Sequence, residues 1–161
     1  MDRFDNIPET ALTWHRDGAG AALATVVETW GSAPRRIGAQ LAISGDGRIE
    51  GSVSGGCVEG AVIVEAMEAL EEGAHRLLEF GVSDDDAFAV GLACGGTIKV
   101  LVEPIGTALP EPLLAELTAA VEADPDNHQA RYDLALALAA CATTKEAERE
   151  EPRELAEPPV L

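Results

Sequence analysis

The stretch whose reading decides the fold is residues 39–73, "AQLAISGDGRIEGSVSGGCVEGAVIVEAMEALEEG". Two short β-prone runs, "AQLAIS" and "RIEGSVS", flank a Gly-Asp-Gly, which is a hairpin signal because glycine and small polar residues tolerate the backbone of a tight turn. At "SGGC" the pattern changes. Val58, Ala61, Val62, Val64, Ala66, Met67, Ala69 and Leu70 then recur at the spacing of a core-facing helix, and Gly73 is placed to close it. A hairpin that runs straight into an amphipathic helix predicts a sheet with helices packed on it.

Upstream, "NIPETALTWHRDG" (6–18) reads as a helix with Asn6 as its cap and Pro8 in its first turn. "AALATVVET" (21–29) is a near-continuous apolar run rich in β-branched residues, the pattern of a buried strand. "GSAPRRIG" (31–38) is a loop by composition. Downstream, "RLLEFGV" (76–82) is a strand candidate, and "SDDDAFAVG" (83–91) opens with residues that cap a short helix. "GLACGG" (91–96) interrupts, and "TIKVLVEPI" (97–105) is a last strand ended by Pro104. The expectation is an α+β fold, a mixed β-sheet with packed helices, followed by a C-terminal helical hairpin. Its divisions are a domain over 1–106, the hairpin over 107–145, and a charged, proline-rich tail over 146–161 that should fray.

The hairpin rests on "LPEPLLAELTAAVEADPDNHQARYDLALALAA", two helices broken at "DPDN". Leu113, Leu114 and Leu117 give the first an apolar stripe, while Tyr132, Leu134, Leu136 and Leu138 make the second apolar on more than one side. One helical hairpin cannot bury both of its apolar faces, so it must pack on the main domain, pair with another copy or stay partly loose.

Composition excludes several functions. The chain of 161 residues is 47% hydrophobic and 4% aromatic, so its core must be built from Ala, Val, Leu and Ile. The formal charge is −18, with 7 basic against 17 acidic residues up to residue 106 and 4 against 12 after it. Nucleic acid is thereby excluded as a partner, because that affinity comes from Lys and Arg neutralising phosphates. Anionic lipid would repel such a surface, and no run approaches the roughly 18 to 20 apolar residues of a membrane span. The acidic N-terminus has no secretory signal pattern. Three cysteines, Cys57, Cys94 and Cys141, form no C-x-x-C pair, and His15, His75 and His128 have no ligand spacing. A reducing, cytoplasmic setting is expected.

Three loops carry residues suited to chemistry. In the first, Ser32 precedes the adjacent Arg35 and Arg36, a pair able to clamp phosphate or carboxylate through forked donors or simply to offset the acidic surface. In the second, Ser54, Gly55, Gly56 and Cys57 lie between a strand and a helix start. There, backbone amides and the helix end favour an anion, and a thiol would be biased toward thiolate. The lysine of a nucleotide P-loop is missing. A buried, inert cysteine fits the same pattern. In the third, Cys94 adjoins Gly95 and Gly96. Two cysteines each flanked by Gly-Gly suggest one pocket, with a sulfur-rich ligand, a metal or a persulfide as its occupant. Asp84, Asp85 and Asp86 are read as helix capping rather than a cation site.

With these motifs in order, "TVVETWGSAPRRIGAQLAISGDGRIEGSVSGGCVEGAVIVEA" and "LLEFGVSDDDAFAVGLACGGTIKVLVEPI" resemble the N-terminal domain of the XdhC/CoxI family over about residues 8–106. The resemblance implies an accessory chaperone rather than an enzyme. Such a protein binds molybdenum cofactor (molybdopterin) as cargo, protects it during sulfuration and passes it to a molybdenum hydroxylase apoenzyme of the xanthine dehydrogenase or carbon monoxide dehydrogenase type. It further implies a cysteine desulfurase as partner. Arg35, with the amides of Gly55 and Gly56, would hold the phosphate, and Cys57 and Cys94 would meet the dithiolene-bound metal. Longer relatives continue into a Rossmann-type domain, so this chain resembles a short form whose pocket a homodimer could complete. Residues 123–141, "ADPDNHQARYDLALALAAC", weakly resemble a tetratricopeptide-type helix pair. Two other readings stay open at this point: a cysteine persulfide sulfur carrier and a non-catalytic protein-interaction module.

Overall fold

The computed structural model describes residues 6–81 and 95–123. Their elements are α1 (Ile7–Arg16), β1 (Ala21–Trp30), β2 (Gln40–Ser44), β3 (Ile49–Gly51), α2 (Glu59–Glu72), β4 (Arg76–Phe80), β5 (Thr97–Pro104) and α3 (Glu111–Glu122). The short helix expected at 83–91, the second helix of the hairpin and the tail lie outside the described residues.

The fold is α+β: a five-stranded sheet in the order β3-β2-β1-β5-β4, with helices on both faces. All four strand pairings are antiparallel, and an isolated parallel bridge joins Ile105 to Leu109. The central strand explains its own sequence. Residues Ala21 to Val26 are buried without a break, because one side of β1 meets α2 and the other meets α1 and α3. Ala22, Ala24 and Val26 share a core with Val62, Ala66 and Ala69 of α2 and with Ile98, Val100 and Val102 of β5. Ala21 and Leu23 share a second core with Ala11 and Leu12 of α1 and Leu114 and Val121 of α3. α3, the first helix of the expected hairpin, thus packs into the core of the preceding residues. Removing Leu23 or Leu114, both essentially inaccessible, would cost about 2–5 kcal/mol.

Local signals set the boundaries. The Asn6 side chain makes no capping hydrogen bond to α1, although Asn6 stands at the N-cap and Pro8 in the first turn. α2 ends at Gly73, whose φ of 68° is the left-handed conformation that suits glycine. Arg76 ties β4 to α2 through Glu65, Glu68 and Glu72, a network that raises the guanidinium pKa, chiefly through Glu72. The register of β1 on β5 slips at Val26/Glu28, a bulge at Val27. The strand expected at 48–54 stops at Gly51 instead. After the Ser52 amide donates to the Gln40 carbonyl, the next two amides turn to the Glu59 carboxylate and leave the ladder. Among the described residues no helix is long and apolar enough to cross a membrane.

Candidate functional site

Antiparallel pairing decides where the candidate loops lie. β1 and β3 end, and β2 and β5 begin, at the same end of the sheet. Trp30 pairs with Thr97 there, and Gly51 pairs with Leu41 next to the start of β2. The loops 31–39 and 52–58 and the dipeptide Gly95–Gly96 therefore leave from a common edge. Two of them touch. A methyl group added at Gly96 would lie 2.8 Å from the Ala33 nitrogen and the Ser32 carbonyl carbon, so only glycine lets these backbones meet. Facing it, a methyl on Gly31 would lie 3.5 Å from the Gly96 Cα. Cys94 lies outside the described residues, one position from Gly95.

The Arg loop folds back onto β1. The Gly38 amide donates to the Val26 carbonyl, and the Val26 amide donates to the Ala39 carbonyl. This closure leaves Ser32 and Arg36 exposed and Arg35 half-buried.

The second loop is organised around a residue that the loop composition did not reveal. Glu59, in the first turn of α2, accepts on Oε1 from the Ser52 hydroxyl at 2.7 Å, the Val53 amide at 3.2 Å and the Ser54 amide at 2.9 Å. On Oε2 it accepts from the Ser54 hydroxyl and from the Gly56 amide at 2.9 Å. The Gly55 amide donates to Ser52 Oγ at 2.8 Å and the Val58 amide to Ser54 Oγ at 2.9 Å. The amides of Gly55 and Gly56, read from sequence as donors to an external phosphate, are therefore engaged within the loop. Burial pushes the Glu59 carboxyl pKa up, but the Ser52 and Ser54 hydroxyls and the Ser54 amide outweigh it and hold it at about 2. The signal present in the sequence was an acidic residue in the first turn of a helix, where the helix end favours a carboxylate.

Gly55 and Gly56 make the turn with φ of 74° and 109°, beside open space. Ser54 beneath them is buried, and Cys57 emerges as an exposed free thiol. The edge thus offers a soft nucleophile, an exposed guanidinium and close backbone approach. Trp30 stands at the same edge, 72% exposed. Among the described residues no group of three or more His, Cys, Asp or Glu side chains could hold a metal ion. A groove between α1 and α3, lined by Glu9, Thr13, Arg16 and Thr118 among others, involves none of these loops.

Comparison with known proteins bears on this edge. Residues 14–81 match the model of the XdhC and CoxI family. The molybdenum cofactor insertion chaperone PaoD of Escherichia coli is 38% identical over 128 residues, 80% of this chain and 39% of that protein. The uncharacterized protein YqeB of Escherichia coli is 40% identical over 101 residues, 63% of this chain and 18% of that protein. The crystal structure of a xanthine dehydrogenase from Bacillus halodurans superposes with a TM-score of 0.59 at 30% identity, covering 72% of this chain and 35% of that one. The chain therefore spans less than two-fifths of the length of each of these relatives.

Proposed function

Because the N-terminal region of the chain, residues 14–81, belongs to the XdhC and CoxI family, we propose that the protein is an accessory chaperone for molybdenum cofactor. It binds the cofactor as cargo and assists its sulfuration and insertion into a molybdenum hydroxylase of the xanthine dehydrogenase or carbon monoxide dehydrogenase type. It acts as a maturation factor rather than as an enzyme. The observation that carries this reading is the gathering of loops 31–39, 52–58 and 95–96 on one edge of the sheet.

The residues suit such cargo. Molybdopterin has an anionic phosphate at one end and a sulfur-rich, metal-bearing dithiolene at the other. Arg35 and Arg36, with Ser32 beside them, suit the phosphate. Cys57 suits the soft end, with Ser54, Gly55 and Gly56 shaping its approach and Cys94, next to Gly95 and Gly96, as the second thiol. The partners are the hydroxylase apoenzyme, a cysteine desulfurase during sulfuration, and a second copy of the chain where the pocket needs completing. The insertion chaperone PaoD, 38% identical, supports the assignment.

Cys57→Ala and Cys94→Ala, each co-expressed with a cofactor pathway, should lose bound pterin and molybdenum. Unchanged retention in both variants would sink the ligand assignment. The exposure of Cys57 favours one second reading, a persulfide carrier. The Cys57 thiolate would attack the sulfane sulfur of the desulfurase persulfide and form a new S–S bond, and the desulfurase cysteine would leave as thiolate. A one-sulfur mass adduct on Cys57 after incubation with desulfurase and cysteine would select that reading.

A further inference from the structure

The loop from Ser52 to Cys57 has the architecture of an anion nest at a helix N-terminus, and the anion is already there. Glu59 receives the amides of Val53, Ser54 and Gly56 and the hydroxyls of Ser52 and Ser54. The remaining Gly55 amide is held by Ser52 Oγ. An incoming phosphate would find every amide from Val53 to Gly56 committed, and beside them a carboxylate of its own sign. The same contacts pin both residues of the Gly55–Gly56 turn, which is otherwise surrounded by open space.

We propose that Glu59 is the positioning residue of this edge. Its carboxylate fills the place an external anion would take, pins the Gly55–Gly56 turn and so restrains Cys57 in one conformation, and confines a ligand's phosphate to the Arg35–Arg36 side. The ligand thereby acquires a fixed polarity, with its sulfur-rich end at Cys57 and its anionic end at the arginines. That polarity rests on the cofactor reading above, whereas the latch itself does not.

The test uses the full chain with Cys94→Ala and Cys141→Ala, so that Cys57 is the only thiol. Glu59→Ala should raise the rate of iodoacetamide alkylation of Cys57 by about fivefold, as the unlatched turn samples open states. Millimolar acetate or inorganic phosphate should bring that rate back toward the parent's by refilling the nest, and the parent should respond to neither ion. Glu59→Asp, a shorter carboxylate, should fall between. Ser54→Ala keeps the Glu59 charge but removes a donor, so it should also speed alkylation. It also serves as the second variant if Glu59→Ala does not fold. An alkylation rate within twofold of the parent in a folded Glu59→Ala protein would overturn the proposal, as would an equal response of both proteins to phosphate. Failure of the cofactor reading would show separately, as unchanged cofactor retention in Cys57→Ala and Cys94→Ala.

Discussion

The loops 31–39 and 52–58 each contain two glycines, leave the same edge of the sheet and do opposite things with their polar groups. The second turns its amides inward onto Glu59, so the loop is a mount. The first closes with two backbone hydrogen bonds to Val26 and leaves Arg36 outside, so its charge is available to a ligand. The difference comes from one residue outside the loop itself. A carboxylate in the first turn of the following helix converts a potential anion site into an internal brace.

The contrast can be broken at four points. The largest effect should come from Gly96→Ala, whose methyl would collide with the backbone of Ser32 and Ala33, where no flexible side chain can yield. The expected loss is about 2–4 kcal/mol in a denaturant titration, and the Arg loop should be displaced. Next comes Glu59→Ala, which orphans the donors of the mount. Because the carboxylate is partly exposed, about 1–2 kcal/mol is expected. The pH dependence has a definite sign. The Glu59 carboxyl is depressed in the fold, so its contribution is full above the ordinary value of 4.5 and is lost as pH falls toward about 2. The stability difference between wild type and Glu59→Gln, measured by denaturation between pH 6 and pH 2, should shrink as the pH falls. A constant difference would contradict the brace.

Ser54→Ala is smaller, at about 1 kcal/mol, since it removes one hydroxyl that bridges the Val58 amide to Glu59. Arg36→Ala should be the smallest in stability, within about 0.5 kcal/mol at an exposed site. Its effect should appear instead as roughly tenfold weaker cofactor retention, the worth of a charge-assisted phosphate contact. If Arg36→Ala destabilised the fold as much as Glu59→Ala, the two loops would not differ in the way described.

Much of this architecture was legible in the residues. The unbroken apolar run at 21–26 announced a strand buried on both faces, and the Gly-Asp-Gly turn placed β2 beside β3. Helix α2 followed from its apolar spacing, and its end from Gly73. The length of β3 was not legible, because Val53 and Ser54 leave the ladder only through a contact with Glu59, six and five residues away. The contact of Gly96 with Ser32 and Ala33 was equally hidden. It joins residues more than 60 positions apart and follows from the β1–β5 register, not from local pattern. Gly-Gly identified two loops as special without saying that Gly55, Gly56 and Gly95 need positive φ whereas Gly96 needs the absence of a side chain.

The bulge at Val27 has a consequence for the whole edge. Ala22, Ala24 and Val26 point toward α2, and strict alternation would send Glu28 and Trp30 the same way. The inserted residue shifts the phase of the strand. Glu28 instead pairs across from Lys99, with their charged groups 3.2 Å apart, and Trp30 across from Thr97, on the opposite side. One strand is thereby divided into a buried shaft and an outward-facing tip. A deletion of Val27 would leave Glu28 across from Lys99 and Trp30 across from Thr97 in a regular ladder, straightening the strand without turning the tip or altering any residue of the loops beyond it.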